Sequence, residues 1–300
     1  MKVDNGTNLL HLACNNPNMN KEIVEYLLKE MDRRLLVEKT SKLKGGITPF
    51  HLAVMNPRTD VDLVRSFIES KADPNTHDEN GMNLLFASIL LRKSPDLLIV
   101  DCLIENGAQI FKYPTSVDSP SHSPTLGYSA LHAACSVDPL SVDLIKLVFE
   151  KSRKPAKCFN FSDSMTPLHL VCQHPSPSIP SITYLVENKF DPNLCESASF
   201  GWSSLHVACS NYDIPSPEII KLLVELKADP LLKDKLDRSV LHLLVENRNS
   251  KLDWFQYFIN LNVDPSSVDN QGKNVLQYAI EDKLHNNITP IVEYLKSICK

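Results

Sequence analysis

Short apolar runs recur along this chain, each placed behind a polar residue of one chemical kind. Leu9, Leu10, Leu12 and Ala13 follow Asn8 at helical spacing, and Leu205, Val207 and Ala208 follow Ser203 in the same way. The residue that opens the run is Asn8, Thr48, Asn83, Ser129, Thr166, Ser203, Ser239 or Asn274. Each of these side chains can accept a hydrogen bond from an orphan N–H in the first turn of a helix. Pro49 and Pro167 then take the first helical position, where a missing N–H costs nothing. A second segment follows with a period near 3.6, as in 22–28 and 218–224, and predicts an amphipathic helix. Asp-Pro steps at 73–74, 191–192, 229–230 and 264–265 are expected to stop that second helix. Gly6, Gly46, Gly81, Gly127, Gly201 and Gly272 each lie two residues before the cap, where a tight turn calls for positive φ. One unit therefore reads as turn, helix, loop, helix and extended hairpin.

Three residues after the cap stand His11, His51, Phe86, His132, His169, His206, His242 and Gln277. Successive members are 40, 35, 46, 37, 37, 36 and 35 residues apart. Thr166-Pro-Leu-His169, Thr48-Pro-Phe-His51 and the Ala72-Asp-Pro-Asn75 helix end carry a resemblance to the ankyrin-repeat family, which extends over 5–299. The resemblance implies an all-α repeat fold, a solenoid of antiparallel helix pairs with short β-hairpin fingers. Its units are placed near 5–40, 41–78, 79–120, 121–161, 162–198, 199–234, 235–269 and 270–300, as a single domain over 1–300. The family period is about 33, so every unit here is long. Much of the excess lies in proline-bearing loops between the two helices, such as 15–18, 56–58, 173–180 and 212–217, and in the connections 31–45 and 108–126. Such loops are expected to leave the stack undisturbed, since added loop length costs little entropy. The last unit, with Gln277 in place of histidine, is consistent with an end cap or with a piece cut from a longer chain.

The resemblance also implies that the residue after the turn glycine points from the finger base toward a concave groove. That residue is Thr7, Ile47, Met82, Tyr128, Met165, Trp202, Arg238 or Lys273, with Phe200 and Leu236 close by. Large apolar side chains with an aromatic centre suit a protein-binding hot spot. Tyr128, Met165, Phe200, Trp202, Leu236, Arg238 and Lys273 are therefore the candidate partner-binding residues, forming a stripe that is apolar in the middle and basic toward its end. The competing reading packs some of these side chains between fingers.

Composition narrows the function further. The chain has 300 residues, 43% hydrophobic and 22% charged, and a net charge of −5. That balance argues against a nucleic-acid partner, which needs clustered Lys and Arg; Lys39, Lys42 and Lys44 read as a solvated loop. The N-terminus enters the first repeat at once, so no signal peptide is expected. Arg92, Lys93 and Asp96 break the most apolar stretch, so no membrane span is expected. Cys14, Cys135, Cys172 and Cys209 share a repeat position with Val54, Ile89, Val245 and Ile280, which marks cysteine there as a small core hydrophobe. Free thiols fit a reducing compartment, cytosol or nucleus.

The repeat histidines lie about a repeat apart, too far to share a metal, and each is expected to tie its helix start to backbone in the neighbouring turn. No phosphate-binding glycine loop, dinucleotide fingerprint or nucleophile elbow occurs, so neither a cofactor nor an enzyme is expected. Ser119-Pro120 and Ser123-Pro124 in the 108–126 insert are candidate phosphorylation sites. The expected function is non-catalytic binding of a protein partner by a monomeric scaffold. Alternatives are a regulatory inhibitor of an enzyme and a substrate adaptor of a ubiquitin ligase.

Overall fold

The computed structural model describes residues 2–3, 6–36, 39–40, 45–110, 129–152, 165–196, 199–210, 216–247, 249–281 and 288–299. Tyr128, Ser119, Ser123, Lys42 and Lys44 lie outside these residues. The described residues form sixteen α-helices. They group into two compact units, 1–153 and 154–300.

The first unit holds four helix pairs. These are α1 (Leu9–Cys14) with α2 (Lys21–Glu30), α3 (Pro49–Met55) with α4 (Val61–Glu69), α5 (Leu84–Leu90) with α6 (Leu97–Glu105), and α7 (Ala130–Ala134) with α8 (Val142–Lys151). First helices pack on first helices in the order α1, α3, α5, α7, and second helices in the order α2, α4, α6, α8. The second unit repeats the plan. It holds α9 (Pro167–Gln173) with α10 (Ile179–Glu187), α11 (Ser204–Ser210) with α12 (Pro217–Glu225), α13 (Val240–Glu246) with α14 (Leu252–Asn260), and α15 (Val275–Glu281) with α16 (Ile288–Ile298). There α9, α11, α13 and α15 pack in sequence, and α14 packs on α16.

The cores are linear and lie between the helix rows. Phe50 and Phe67 stack at 4.6 Å within the second pair, and Phe190, Phe255 and Phe258 are sealed in the second unit. Burying each such ring contributes roughly 2–3 kcal/mol. Cys14, Cys135, Cys172 and Cys209 are buried and unbridged. Burial pushes the Cys14 thiol up to about 12 and the other three higher still, so all four remain neutral packing groups.

The second helices stop earlier than the Asp-Pro steps suggest. α4, α10, α12 and α14 end before a left-handed residue at Lys71, Lys189, Lys227 and Asn262, with φ from 65° to 74°. The next N–H reaches back five residues, as in Ala72 to Phe67 O at 3.0 Å and Ala228 to Leu223 O at 2.8 Å. This is a helix stop by a 6→1 bond. The Asp-Pro step only shapes the turn beyond it, where Asp73 Oδ1 accepts from Asn75 N at 2.8 Å and Asp191 Oδ1 from Asn193 N at 2.9 Å.

The inter-helix loops are part of the stack rather than passive insertions. Asn56 Nδ2 donates to Cys14 O and Asn16 O at 2.9 and 2.8 Å, and Asn247 Nδ2 donates to Cys209 O at 2.9 Å. The half-buried Arg92 guanidinium donates to the carbonyls of Val54, Asn56, Pro57 and Thr59. Each bond ties one repeat's loop to the next, which satisfies carbonyls that the wide loop would otherwise leave unpaired.

Candidate partner-binding surface

The fingers begin as backbone turns closed by an acidic side chain. Strand β1 (Lys2–Val3) pairs antiparallel with β2 (Thr7–Asn8). Later fingers keep a single bridge, His77 with Asn83 and Val268 with Asn274. Asp78, Asp234 and Asp269 each stand four residues before the finger position and donate their N–H to its carbonyl, on Met82, Arg238 and Lys273. Their Oδ1 accepts the finger residue's own N–H at 2.8–2.9 Å. In the sixth finger Glu196 takes this part and accepts from the N–H groups of Ser199, Gly201 and Trp202. Burial alone would raise the Glu196 carboxyl, but the Ser199 hydroxyl and these N–H donors outweigh it and hold it below the usual carboxylate range.

The histidines join finger to helix. Nδ1 of His51 and His169 accepts the cap residue's N–H, at 3.4 and 3.2 Å. Nε2 faces a carbonyl of the next finger: His11 to Ile47 O at 3.1 Å, His51 to Met82 O at 3.2 Å, His169 to Trp202 O at 2.9 Å, His242 to Lys273 O at 3.3 Å. A carbonyl only accepts, so Nε2 carries the proton and the ring is neutral. Burial pulls the imidazoles of His51, His169 and His242 below the ordinary histidine value and takes His206 down to about 4. Gln277 keeps the cap half of this role, its Oε1 accepting from Asn274 N at 2.8 Å.

Three of the seven residues singled out from sequence meet in one cluster. Phe200 and Trp202 stack with centroids 5.3 Å apart, and the Arg238 guanidinium carbon lies 5.2 Å from the Phe200 ring and 5.9 Å from the Trp202 ring. Trp202 Nε1 donates to Asp234 Oδ2 at 3.1 Å. Phe200 is 44% exposed, while Trp202 and Leu236 are half-buried beside it in sequence and finger. Adjacent fingers are sewn together by Lys235 N to Phe200 O at 2.7 Å and Asn270 N to Leu236 O at 2.9 Å. Gly201 sits at φ 73°, and a Cβ there would meet Lys235 Cγ at 2.7 Å, so the finger closes over this position.

The expected basic end of the stripe is corrected. Arg238 is only 6% exposed. Its Nε and terminal nitrogen both lie 2.8 Å from Asp234 Oδ2, and the other terminal nitrogen is 3.2 Å from Glu246. Its charge is therefore spent inside the finger, holding the aromatic rings from one side. Lys273 is half-buried and pairs with Glu281 at 2.7 Å. Met165 is half-buried.

The first unit carries a surface that includes two of the finger positions, Thr7 and Ile47. A cleft of about 280 Å³ is lined by Pro17, Leu52, Met55, Pro57 and Leu91 with Asn15 and Asn56. A second of about 200 Å³ shares Asn15 and Leu52 and adds Leu12, Thr40 and Ile47. The two adjoin across the first fingers and first helices, the first mainly apolar and the second mixed, with Thr7 and His11 also in its wall. The Asp residues four before Met82, Arg238 and Lys273 recur at a fixed offset and were findable in sequence. The first cleft was not, because its wall combines Pro17, Pro57 and Leu91 from three successive repeats, which only the stacking brings together.

Among the described residues no helix is long and apolar enough to cross a membrane, and no group of three His, Cys, Asp or Glu is placed to hold a metal ion. A family model described as "Ankyrin repeats (3 copies)" matches residues 1–78, 140–234 and 205–299. Among solved structures, the crystal structure of the ankyrin repeat domain of Bcl-3, titled a unique member of the IkappaB protein family, superposes with a TM-score of 0.59. It is 18% identical, and the match covers 83% of this chain and 99% of that one. No curated protein sequence matches the chain.

Proposed function

Since the chain belongs to the ankyrin-repeat family, we propose that it is a non-catalytic module that binds a protein partner through its finger and inner-helix surface. The family's repeats build extended surfaces for such docking. In the second unit the binding centre is Phe200, Trp202 and Leu236. The observation that carries this reading is the exposed Phe200 ring stacked on Trp202 with Arg238 pinned against both. Leaving a large ring exposed on a finger loses the benefit of burying it, while the ion pairs behind it fix its place before any partner arrives. Such preorganisation lowers the ordering cost of docking. Aromatic anchors backed by a desolvated charge are typical binding centres. The cleft along Leu52, Met55 and Leu91 is a second candidate docking surface, aliphatic rather than aromatic, on the first unit.

Four of the repeat histidines, His11, His51, His169 and His242, are engaged at both ring nitrogens in structural bonds. The test is a capture comparison from native-cell lysate, read by mass spectrometry, between the unaltered chain and Phe200→Ala. At least one protein should be recovered by the first and reduced tenfold or more with the second, at unchanged melting temperature. Equal recovery of every protein by both would refute the reading.

A further inference from the structure

The aromatic platform of the second unit continues into two finger-to-helix ion pairs. Arg238 lies 3.2 Å from Glu246, and Lys273 lies 2.7 Å from Glu281. The cation stands at the finger base, and the carboxylate belongs to the last residue of the inner helix, α13 or α15. In both pairs the carboxylate is the outer member. The Arg238 side chain is 8% exposed against 38% for Glu246, and that of Lys273 is 39% exposed against 59% for Glu281. A molecule approaching this face therefore meets carboxylate before it meets cation.

Each finger also carries a second, buried carboxylate. Asp234, fully sealed, holds Arg238 at 2.8 Å. The buried Asp269 accepts the Lys273 N–H at 2.8 Å and the Tyr278 hydroxyl at 2.7 Å. Two cations thus serve four carboxylates. Over 196–210, 233–246 and 268–281, the last three fingers with their inner helices, six Asp and Glu stand against four Lys and Arg. Glu246 is the least compensated of the four. Arg238 Nη1 lies 3.2 Å from each of its oxygens, long for a charge-assisted bond. Burial, aided by the Asp234 charge, pushes its carboxyl above the ordinary value in spite of that contact. Rings stand beside it. The guanidinium that Glu246 binds is the one lying against Phe200 and Trp202, and Tyr278 is half-buried on α15 one turn before Glu281. Carboxylates and ring faces attract the same kind of ligand group, a cation on an apolar stem.

We propose that the partner segment docked at this platform is basic: arginine or lysine side chains of the partner pair with Glu246 and Glu281 while an apolar neighbour covers Phe200. The inference deepens the partner-binding reading and rests on it. Charge complementarity selects the occupant. An acidic segment would meet two outward carboxylates, and a wholly apolar one would strip water from Glu246 without supplying a donor. A basic segment supplies the donors that Arg238, held mainly by Asp234, does not. The end of the stripe that reads as basic in sequence thus receives a cation rather than presenting one.

The test is selection of a random twelve-residue peptide library, displayed on phage, against the whole chain. Selected peptides are then synthesised with a fluorescent label and titrated by polarisation onto the unaltered chain, Phe200→Ala, Glu246→Gln and Glu281→Gln. Glutamine keeps the shape of each side chain, Glu281 is exposed enough for its replacement to spare the fold, and melting temperatures confirm folding. Peptides that lose affinity on Phe200→Ala should be enriched in arginine and lysine over the starting library. They should bind about tenfold more weakly to Glu246→Gln, more weakly also to Glu281→Gln, and less tightly as salt is raised. Phe200-dependent peptides without that enrichment, or with equal affinity for the unaltered chain and both glutamine variants, overturn this proposal and leave the platform standing. If no selected peptide depends on Phe200, the platform itself is contradicted, and the basic partner with it.

Discussion

At the residue scale the molecule spends its polar groups on joints. The imidazole of His169 holds the cap N–H of Thr166 on one nitrogen and the Trp202 carbonyl on the other, and it must be neutral to do both. An unfolded imidazole takes up its proton near pH 6.5, whereas burial delays that event in folded His206 to about 4. Between those values the unfolded chain binds more protons. Stability is therefore fully present above about pH 6.5, falls as pH drops through this window, and levels off for this residue below about 4. His206 alone accounts for a loss on the order of 3 kcal/mol. His51, His169 and His242 act in the same direction. Glu196, with its carboxyl held low, adds a loss as pH falls through the carboxylate range. Urea midpoints at pH 7.5 and 4.5 measure this, and a flat profile would contradict it. Asp234 is the other sensitive residue, since its side chain is sealed against Arg238. Asp234→Ala should cost about 3 kcal/mol, since the buried guanidinium would keep only its 3.2 Å pair with Glu246, read from the same urea curves.

At the element scale the helix starts were legible and the helix stops were not. The caps at Asn8, Thr48, Asn83 and Thr166 all bond the N–H three residues on, as their chemistry demands. The stops depend on single residues in the left-handed region, and three of the four are lysines, which carry no turn signal in sequence. Lys227→Gly should accordingly raise stability by about 0.5–1 kcal/mol, the steric strain relieved less the entropy glycine adds to the unfolded chain. Thermal melts of the variant check this; a lower melting temperature would show that the Lys227 stem packs usefully. Beyond the stop, Asn193 bridges to the next repeat, donating to Lys227 O at 2.9 Å and accepting from Asp229 N at 2.6 Å. Asn75 does the same with Gly107 O and Gln109 N. Asn193→Ala should cost about 1–2 kcal/mol, by equilibrium urea unfolding.

At the scale of the whole molecule, a local phrase written eight times was enough to read the helix-pair plan, because each copy needs only its neighbours. The candidate surface was less legible. Arg238 looked like a free cation because its partners Asp234 and Glu246 lie four before and eight after it, brought close only by the finger folding back on α13. Phe200 and Trp202, two apart in sequence, did announce the aromatic platform that the fold then exposes. The central claim is that this platform is a preformed docking site, and the direct measurement is the binding curve of the most Phe200-dependent captured protein, purified, titrated onto the unaltered chain and onto Phe200→Ala. The account predicts saturable 1:1 binding per chain, weakened at least tenfold by the substitution while the melting temperature stays put. Equal affinity for both chains would contradict it.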